Sequence, residues 1–470
     1  MRGDVRAKGA RLVRRALAVS LLAGVLLTAC GGDPPVSGPE PTPTPTPEPL
    51  GPPNIILIVA DDLGYTDLSS YGAPLIQTPH LDRLAEEGVR FTNFTVPAPV
   101  CTPSRASLMT GRYPVRSGLV WILPSGPPDS GITSGPGSGG IHAQEITVAE
   151  ALRDAGYATG MVGKWHLGHQ TEYLPTHHGF GSYFGIPSGQ NGALTVRGDS
   201  VTEPEDWLGL DLVTRRYNEE AIEFIRQHPD GPFFLYLAHK APHVPLAVSG
   251  EFLGRSAAGL YGDVVEELDW TIGQLVEFLD GEGLLRNTLI FFLSDNGPWL
   301  AKGDHAGSSA PLRGGKGSPW EGGIRGPAIA YWPAGLDPGR EISERVSSLD
   351  LFPTFVGLAG AELPGDRPYD GRDVWDLLSG EIDRLPGTAS DGGRELVTYY
   401  GNQPATLHSG NLKYVAPGWW SPQPHLFDLS TDLTESRNLV NLEPDLAAAL
   451  AQRLDELWGE HLIGARRPQQ

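Results

Sequence analysis

Four short, predominantly apolar runs constrain this 470-residue chain more than anything else in it. Ile55-Ile56-Leu57-Ile58-Val59 is the first, and similar runs recur at 158–162, 233–237 and 289–293. A strand with one face in water alternates apolar and polar residues, so a run that is apolar throughout needs cover on both faces. Helical punctuation lies between the runs. Thr78-Pro79 opens one helix that Gly88 stops, and another spans 147–155 before Gly156. Alternating strands and helices predict an α/β fold, a large mostly parallel sheet sandwiched by helices, over residues 54–385. From about Pro386 the pattern changes to strand-like pieces at 395–400, 413–416 and 425–429, then a helix from about Pro444 to Gly459. Residues 386–465 therefore read as a small antiparallel-sheet subdomain with a terminal helix.

Each apolar run is followed by chemistry. Asp61-Asp62 follows the first, Lys164-Trp165-His166 the second, His239, Lys240 and His243 the third, and Asp295-Asn296 the fourth. Ligands of open α/β sheets bind beyond the carboxyl ends of the strands, so these four clusters are expected on one sheet edge. Singly, an Asp-Asp pair is more often a turn or cap, and Asp-Asn-Gly more often a turn. Together, Asp61, Asp62, Asp295 and Asn296 form an all-oxygen donor set suited to Ca²⁺ or Mg²⁺. Cys101 precedes a marked helix start, with Thr102 as expected N-cap, Pro103 at the first helical position and Gly111 as stop. A group at position 101 then faces the positive end of the helix dipole, with Arg105 in the first turn. An isolated free cysteine is more often a buried inert thiol.

The charge of −21 excludes a general nucleic-acid binder, which needs a basic footprint, but not an anionic substrate held by a few buried cations. Only two cysteines are present, so no structural disulfide is expected. Arg2, Arg6, Lys8, Arg11, Arg14 and Arg15 precede an apolar stretch at 16–28 that is too short to span a bilayer comfortably, and Leu27-Thr28-Ala29-Cys30 closes it. Residues 1–29 read as a lipoprotein signal peptide with Cys30 lipidated; an ordinary cleaved signal with Cys30 incidental is the competing reading. Residues 31–53 hold ten prolines and predict an extended stalk, starting at the lipidated cysteine at position 30. These features predict an exported lipoprotein, periplasmic or on the cell surface, anchored to a membrane through its lipid. The Gly/Ser/Pro-rich stretch at 125–140 predicts a loop on the pocket rim.

The segment Cys101-Thr102-Pro103-Ser104-Arg105-Ala106-Ser107-Leu108-Met109-Thr110-Gly111-Arg112 resembles the sulfatase signature, and Gly163-Lys164-Trp165-His166-Leu167-Gly168 resembles its second signature. The 233–245 and 294–297 segments, Gly315-Lys316-Gly317 with its continuation to Gly323, and His425-Leu426-Phe427-Asp428-Leu429 with Glu435 and Asn438 resemble further blocks of that family, nearest the arylsulfatase A type. The resemblance implies an alkaline phosphatase-like superfamily enzyme. In it a maturation enzyme oxidises Cys101 to Cα-formylglycine. One hydroxyl of the hydrated aldehyde attacks sulfur, and loss of a proton from the second ejects sulfate. It places Asp61, Asp62, Asp295 and Asn296, with residue 101, on the metal, and Lys164 and Lys316 on the sulfate oxygens. It gives Arg105 to holding the diol, His166 to its partner and elimination base, and His243 to the general acid. Ser188 and His239 are weaker candidates for substrate contact.

These readings predict hydrolysis of sulfate esters, with a sulfated small molecule or sulfated glycan as substrate. Two alternatives stand beside it: a formylglycine-dependent phosphodiesterase or phosphonate monoester hydrolase, and a non-catalytic binder of sulfated glycans. Trp121, Trp299, Trp320, Trp419 and Trp420 are candidates for sugar stacking, although tryptophans are more often packing residues.

Overall fold

The four apolar runs become four adjacent parallel strands. The computed structural model describes residues 51–123, 139–189, 195–201, 209–386 and 394–466. Cys30, the signal peptide, the stalk and nearly all of the 125–140 loop lie outside them.

The larger sheet has eleven strands. In chain order they are β1 (Asn54–Ala60), β2 (Val89–Thr95), β3 (Ala158–Lys164), β4 (Ser182–Ile186), β5 (Val196–Arg197), β6 (Ser200–Val201), β7 (Phe233–Ala238), β8 (Thr288–Ser294), β9 (Arg325–Tyr331), β10 (Arg340–Ile342) and β11 (Val346–Ser347). Their spatial order is β10-β2-β9-β8-β1-β7-β3-β4-β5-β6, with β11 also paired to β2. β8, β1, β7, β3 and β4 run parallel, and β9 is antiparallel to β8 and β2.

The apolarity of these runs is explained by cover on both faces. Ile55, Leu57 and Val59 join one core with Ala106, Met109, Leu152 and Phe355, whereas Ile56, Ile58 and Ala60 join a second with Leu81, Phe224 and Leu268. The first core is roofed by helices Cys101–Thr110, Val148–Asp154 and Leu351–Leu358, and the second by Pro79–Glu86, Val213–Arg226 and Gly259–Gly281. Thr147 forms a capping box with Glu150, as a Thr-x-x-Glu start requires. None of the helices among the described residues is long and apolar enough to cross a membrane.

The second sheet is antiparallel, in the order β12 (Glu395–Tyr400), β13 (Gln403–Ser409), β14 (Leu412–Val415), β15 (His425–Asp428), and helix Pro444–Leu462 packs Leu450, Leu454 and Leu457 against it.

Candidate active site

The carboxyl ends of β1, β8, β3 and β7 converge on one buried cluster. Backbone bonds fix the ends to one another: Asp61 N–H donates to Ala241 O and Asp295 N–H to Ala60 O, each at 3.0 Å. Asp62 N–H donates to Asp295 Oδ1 at 3.2 Å. Ser294 Oγ locks the two loops by accepting from Leu63 N–H at 3.0 Å and donating to Asn296 O at 2.8 Å. Asp62 and His166 both adopt left-handed backbone, at φ 66° and 59°. Non-glycine residues hold that conformation where the surroundings over-determine it, commonly at functional sites.

Helix Cys101–Thr110 begins two residues earlier than the sequence reading, with Val100 at the cap position and Cys101 in the first turn. Proline is tolerated throughout a first turn because its missing N–H is orphaned there anyway, so Pro103 marks the turn but not its first residue. Thr102 is therefore not the N-cap. Its hydroxyl donates to His166 O at 3.0 Å and accepts from Leu123 N–H at 3.2 Å, holding the β3 loop. Gly111 closes the helix at φ 65°, as expected.

Three cations interleave with three carboxylates. Arg105 Nε donates to Asp295 Oδ2 and its Nη1 to Lys164 O, both at 2.7 Å. Lys164 Nζ meets Asp61 Oδ2 at 2.5 Å. Lys316 Nζ lies 2.7 Å from Asp62 Oδ1 and 3.2 Å from Cys101 Sγ, and Cys101 Sγ lies 3.5 Å from Asp61 Oδ1. Burial pushes the Asp61 carboxyl up, but Lys164, His243, Arg105 and Lys316 outweigh it and hold the group well below the usual range. For Asp62 and Asp295 burial wins and both are raised. Burial also pushes the Cys101 thiol up to about 12, against the pull of Lys164 and Lys316, so an unmodified thiol here is a poor nucleophile at neutral pH.

The donor set fits a hard cation. One atom each from Asp61, Asp62, Cys101 and Asp295 lies within 4.8 Å of the others. Asn296 donates through Nδ2 to Asp62 Oδ1 at 2.8 Å, while its Oδ1 is buried without a hydrogen-bond partner. An orphaned buried acceptor beside three carboxylates is what a bound cation would satisfy.

A cavity of about 480 Å³ opens over this cluster. Cys101, His166, His243 and Lys316 border it, with Ile122, Leu123, Trp299 and Tyr400 as apolar walls. His243 Nδ1 donates to Val244 O at 2.6 Å, which turns Nε2 toward Asp62 Oδ2, 3.6 Å away. Lys240 steadies that loop by donating to Pro245 O at 3.3 Å. His166 Nε2 lies 3.4 Å from Leu123 O, and its Nδ1 has no partner. Burial, reinforced by Lys164 and Arg105, holds His166 well below its ordinary range, hence neutral.

Two weaker candidates fare differently. Ser188 is buried with its Oγ unpartnered, next to Gly189, which does border the cavity. His239 does not border it: the ring turns toward helix Val213–Arg226, with Tyr217 at 6.2 Å between centroids. Sequence reasoning missed Ser294, Thr102 as a strut, and Tyr400. Tyr400 sits on a strand of the second sheet, and nothing local in the sequence marks it.

The Lys316 loop is anchored by charge. Glu321, five residues on, is wholly buried and meets Lys413 at 2.9 Å, His408 at 2.8 Å, Arg345 at 3.4 Å and Arg325 at 3.6 Å. Lys413 also pairs with Glu435 at 2.8 Å, and Glu435 Oε2 accepts from Glu321 N–H at 2.8 Å. The second sheet is thus tied directly to the loop that supplies Lys316.

Comparison with known proteins agrees with this geometry. The sulfatase family model matches residues 53–361. Bovine (Bos taurus) arylsulfatase A is 39% identical, over 86% of this chain and 87% of its own length. Mouse (Mus musculus) steryl-sulfatase is 37% identical, over 85% of this chain and 74% of its own. The crystal structure of Ps i-CgsB in complex with k-i-k-neocarrahexaose superposes with a TM-score of 0.77 at 29% identity, covering 89% of this chain and 94% of that one. The chain belongs to the sulfatase family and is a sulfuric ester hydrolase.

Proposed function

We propose that sulfate-ester hydrolysis is carried out at residue 101 by the side chains that surround it. The observation that carries this assignment is the placement of Cys101 Sγ at the cavity floor, 3.2 Å from Lys316 Nζ and 3.5 Å from Asp61 Oδ1. Asp61, Asp62, Asp295 and Asn296 Oδ1 would hold a divalent cation, with Ca²⁺ favoured over Mg²⁺ for an all-oxygen, carboxylate-rich set. Oxidised to formylglycine and hydrated, residue 101 would supply the attacking oxygen, and a cation bound there would supply the field that makes it nucleophilic. Lys316 and Lys164 neutralise charge that grows on the sulfate oxygens. Arg105, held by Asp295 and Lys164 O, fixes the orientation of residue 101.

His243 presents Nε2 to the cavity and gives its proton to the departing oxygen. Burial pushes His243 down to about 4 in the resting site. A sulfate monoester brings negative charge beside the ring and raises it. His166, neutral and with Nδ1 free, accepts the proton whose loss releases sulfate. Ser188, close to the cavity, is a candidate for contact with sulfate.

The substrate is a sulfated small molecule or glycan; the similar proteins include a steryl-sulfatase, an arylsulfatase and an N-acetylgalactosamine-6-sulfatase. The basic leader, Cys30 and the proline-rich stretch support export and lipid anchoring of the chain, with the catalytic domain outside the cytoplasm. The test is full-length protein produced with a formylglycine-generating enzyme. The peptide carrying residue 101 should have the aldehyde mass, and 4-nitrophenyl sulfate should be cleaved far faster than phosphate mono- or diesters. Active protein with an intact Cys101 thiol would overturn the assignment.

A further inference from the structure

The cavity does not end at its catalytic floor. Tyr400, one of its walls, is the hub of an aromatic surface that runs outward across the second sheet. Its ring centroid lies 5.5 Å from Trp121, 5.5 Å from Trp419 and 5.8 Å from Trp420. Trp419 is 67% exposed and Trp121 41%. Single exposed apolar side chains are ordinary, but a contiguous patch opening into a catalytic cavity marks a binding surface.

The rings are seated on glycine backbone. A Cβ on Gly401, which lies at φ +60°, would stand 2.3 Å from the Trp121 indole, and one on Gly418 would stand 2.4 Å from Trp420. Pairs meet at steep angles, 89° for Trp121 on Tyr400 and 72° for Trp419 on Trp420, so these rings do not cover one another face to face. The exposed amides of Asn402, Gln403 and Gln423 lie beside them in sequence.

We infer that this surface is a subsite for the sugar rings of an extended sulfated glycan whose sulfate is held over Cys101. The inference rests on the sulfatase reading and adds the substrate class. A small aryl sulfate is accommodated within the cavity and has no need of Trp419, one ring beyond the wall. An oligosaccharide offers what the surface matches: C–H-rich ring faces for the indoles and equatorial hydroxyls for the amides.

The test uses the matured full-length enzyme and its Trp419→Ala, Trp121→Ala and double variants, with Trp419→Phe as the conservative control. Each is assayed on 4-nitrophenyl sulfate and on size-fractionated oligosaccharides from chondroitin sulfate, heparan sulfate and carrageenan. Loss of one stacked ring should lower kcat/KM on tetra- and hexasaccharides about three- to tenfold, mainly through KM, and loss of both more. The aryl sulfate should be unaffected, and Trp419→Phe should keep most of the glycan activity. Three results would overturn the inference while leaving the sulfatase reading intact: equal losses on aryl and glycan substrates, no loss on either, or a wild type that cleaves no oligosaccharide better than the aryl sulfate. A matured wild type inactive on every sulfate ester would overturn both.

Discussion

Glu321→Gln is the sharpest perturbation this structure offers outside the reacting groups. The substitution keeps volume and one acceptor but removes the charge that faces Lys413, His408, Arg345 and Arg325. Lys413 keeps Glu435, whereas Arg345 has no other carboxylate in ion-pair reach among the described residues. Breaking a buried pair from one side costs about 3–5 kcal/mol, since the surviving charge stays desolvated. Against a total of about 5–15 kcal/mol, that is a large fraction. Urea unfolding, followed by tryptophan fluorescence and far-UV circular dichroism, should show a lower midpoint at unchanged slope. Lys413→Met should cost a comparable amount, and the double variant less than the two together. The pH dependence has a definite sign. Burial raises the Glu321 carboxyl, but Lys413, Arg345 and His408 outweigh it and hold the group well below the ordinary range. Its stabilisation is complete above the unfolded-state pKa and is lost as pH falls toward the folded one, so wild type and variant should converge in acid. A difference under about 1 kcal/mol at neutral pH would place this cluster with surface pairs and refute the reasoning.

Other outcomes follow from the same geometry. Lys316→Ala, which removes a cation 3.2 Å from Cys101 Sγ, should lower kcat on 4-nitrophenyl sulfate about 10²–10³-fold, and retention of more than a tenth of the activity would count against its role. Asp295→Asn should lose bound alkaline-earth ion as well as activity; active wild type with stoichiometric zinc and no calcium or magnesium would contradict the oxygen site. Asp269, which accepts from Leu81 N–H at 2.7 Å, is pushed up to about 7 by burial. The folded state therefore holds its proton from about pH 4 to about 7, and the group's contribution to stability falls as pH rises through that window. Unfolding measured at several pH values should show Asp269→Asn gaining on the wild type across the window; a pH-independent difference would refute the placement.

The central strands were legible because their environment left one solution. β8, β1, β7 and β3 are covered on both faces, and a predominantly apolar run has few other readings. Two of the strands left unread have an equally physical reason. β9 carries Pro327 and β13 carries Pro404, and proline within a run argues against a strand. Both prolines sit where the ladder shifts register, between Phe91 and Phe94 on β2 and between Thr398 and Tyr399 on β12. An irregularity of that kind is where a missing amide donor is tolerated.

The site divides along the same line. Each charged side chain next to a strand end could be read, because strand ends in a parallel sheet share one edge. What could not be read is who holds those side chains in place. Lys316 stands on a long loop with no strand of the large sheet directly before it, and motif resemblance alone pointed to it. The fold explains why the loop is rigid: Glu321 is fastened to Lys413, His408 and Glu435, three residues of the second sheet and the turn that follows it. That sheet also supplies Tyr400 to the cavity wall. The second sheet therefore bears on the site in two ways: it fastens the loop that holds Lys316 3.2 Å from Cys101 Sγ, and it forms part of the cavity wall. Sequence periodicity reports which residues are covered, not what covers them, so this long-range fastening becomes visible only in three dimensions.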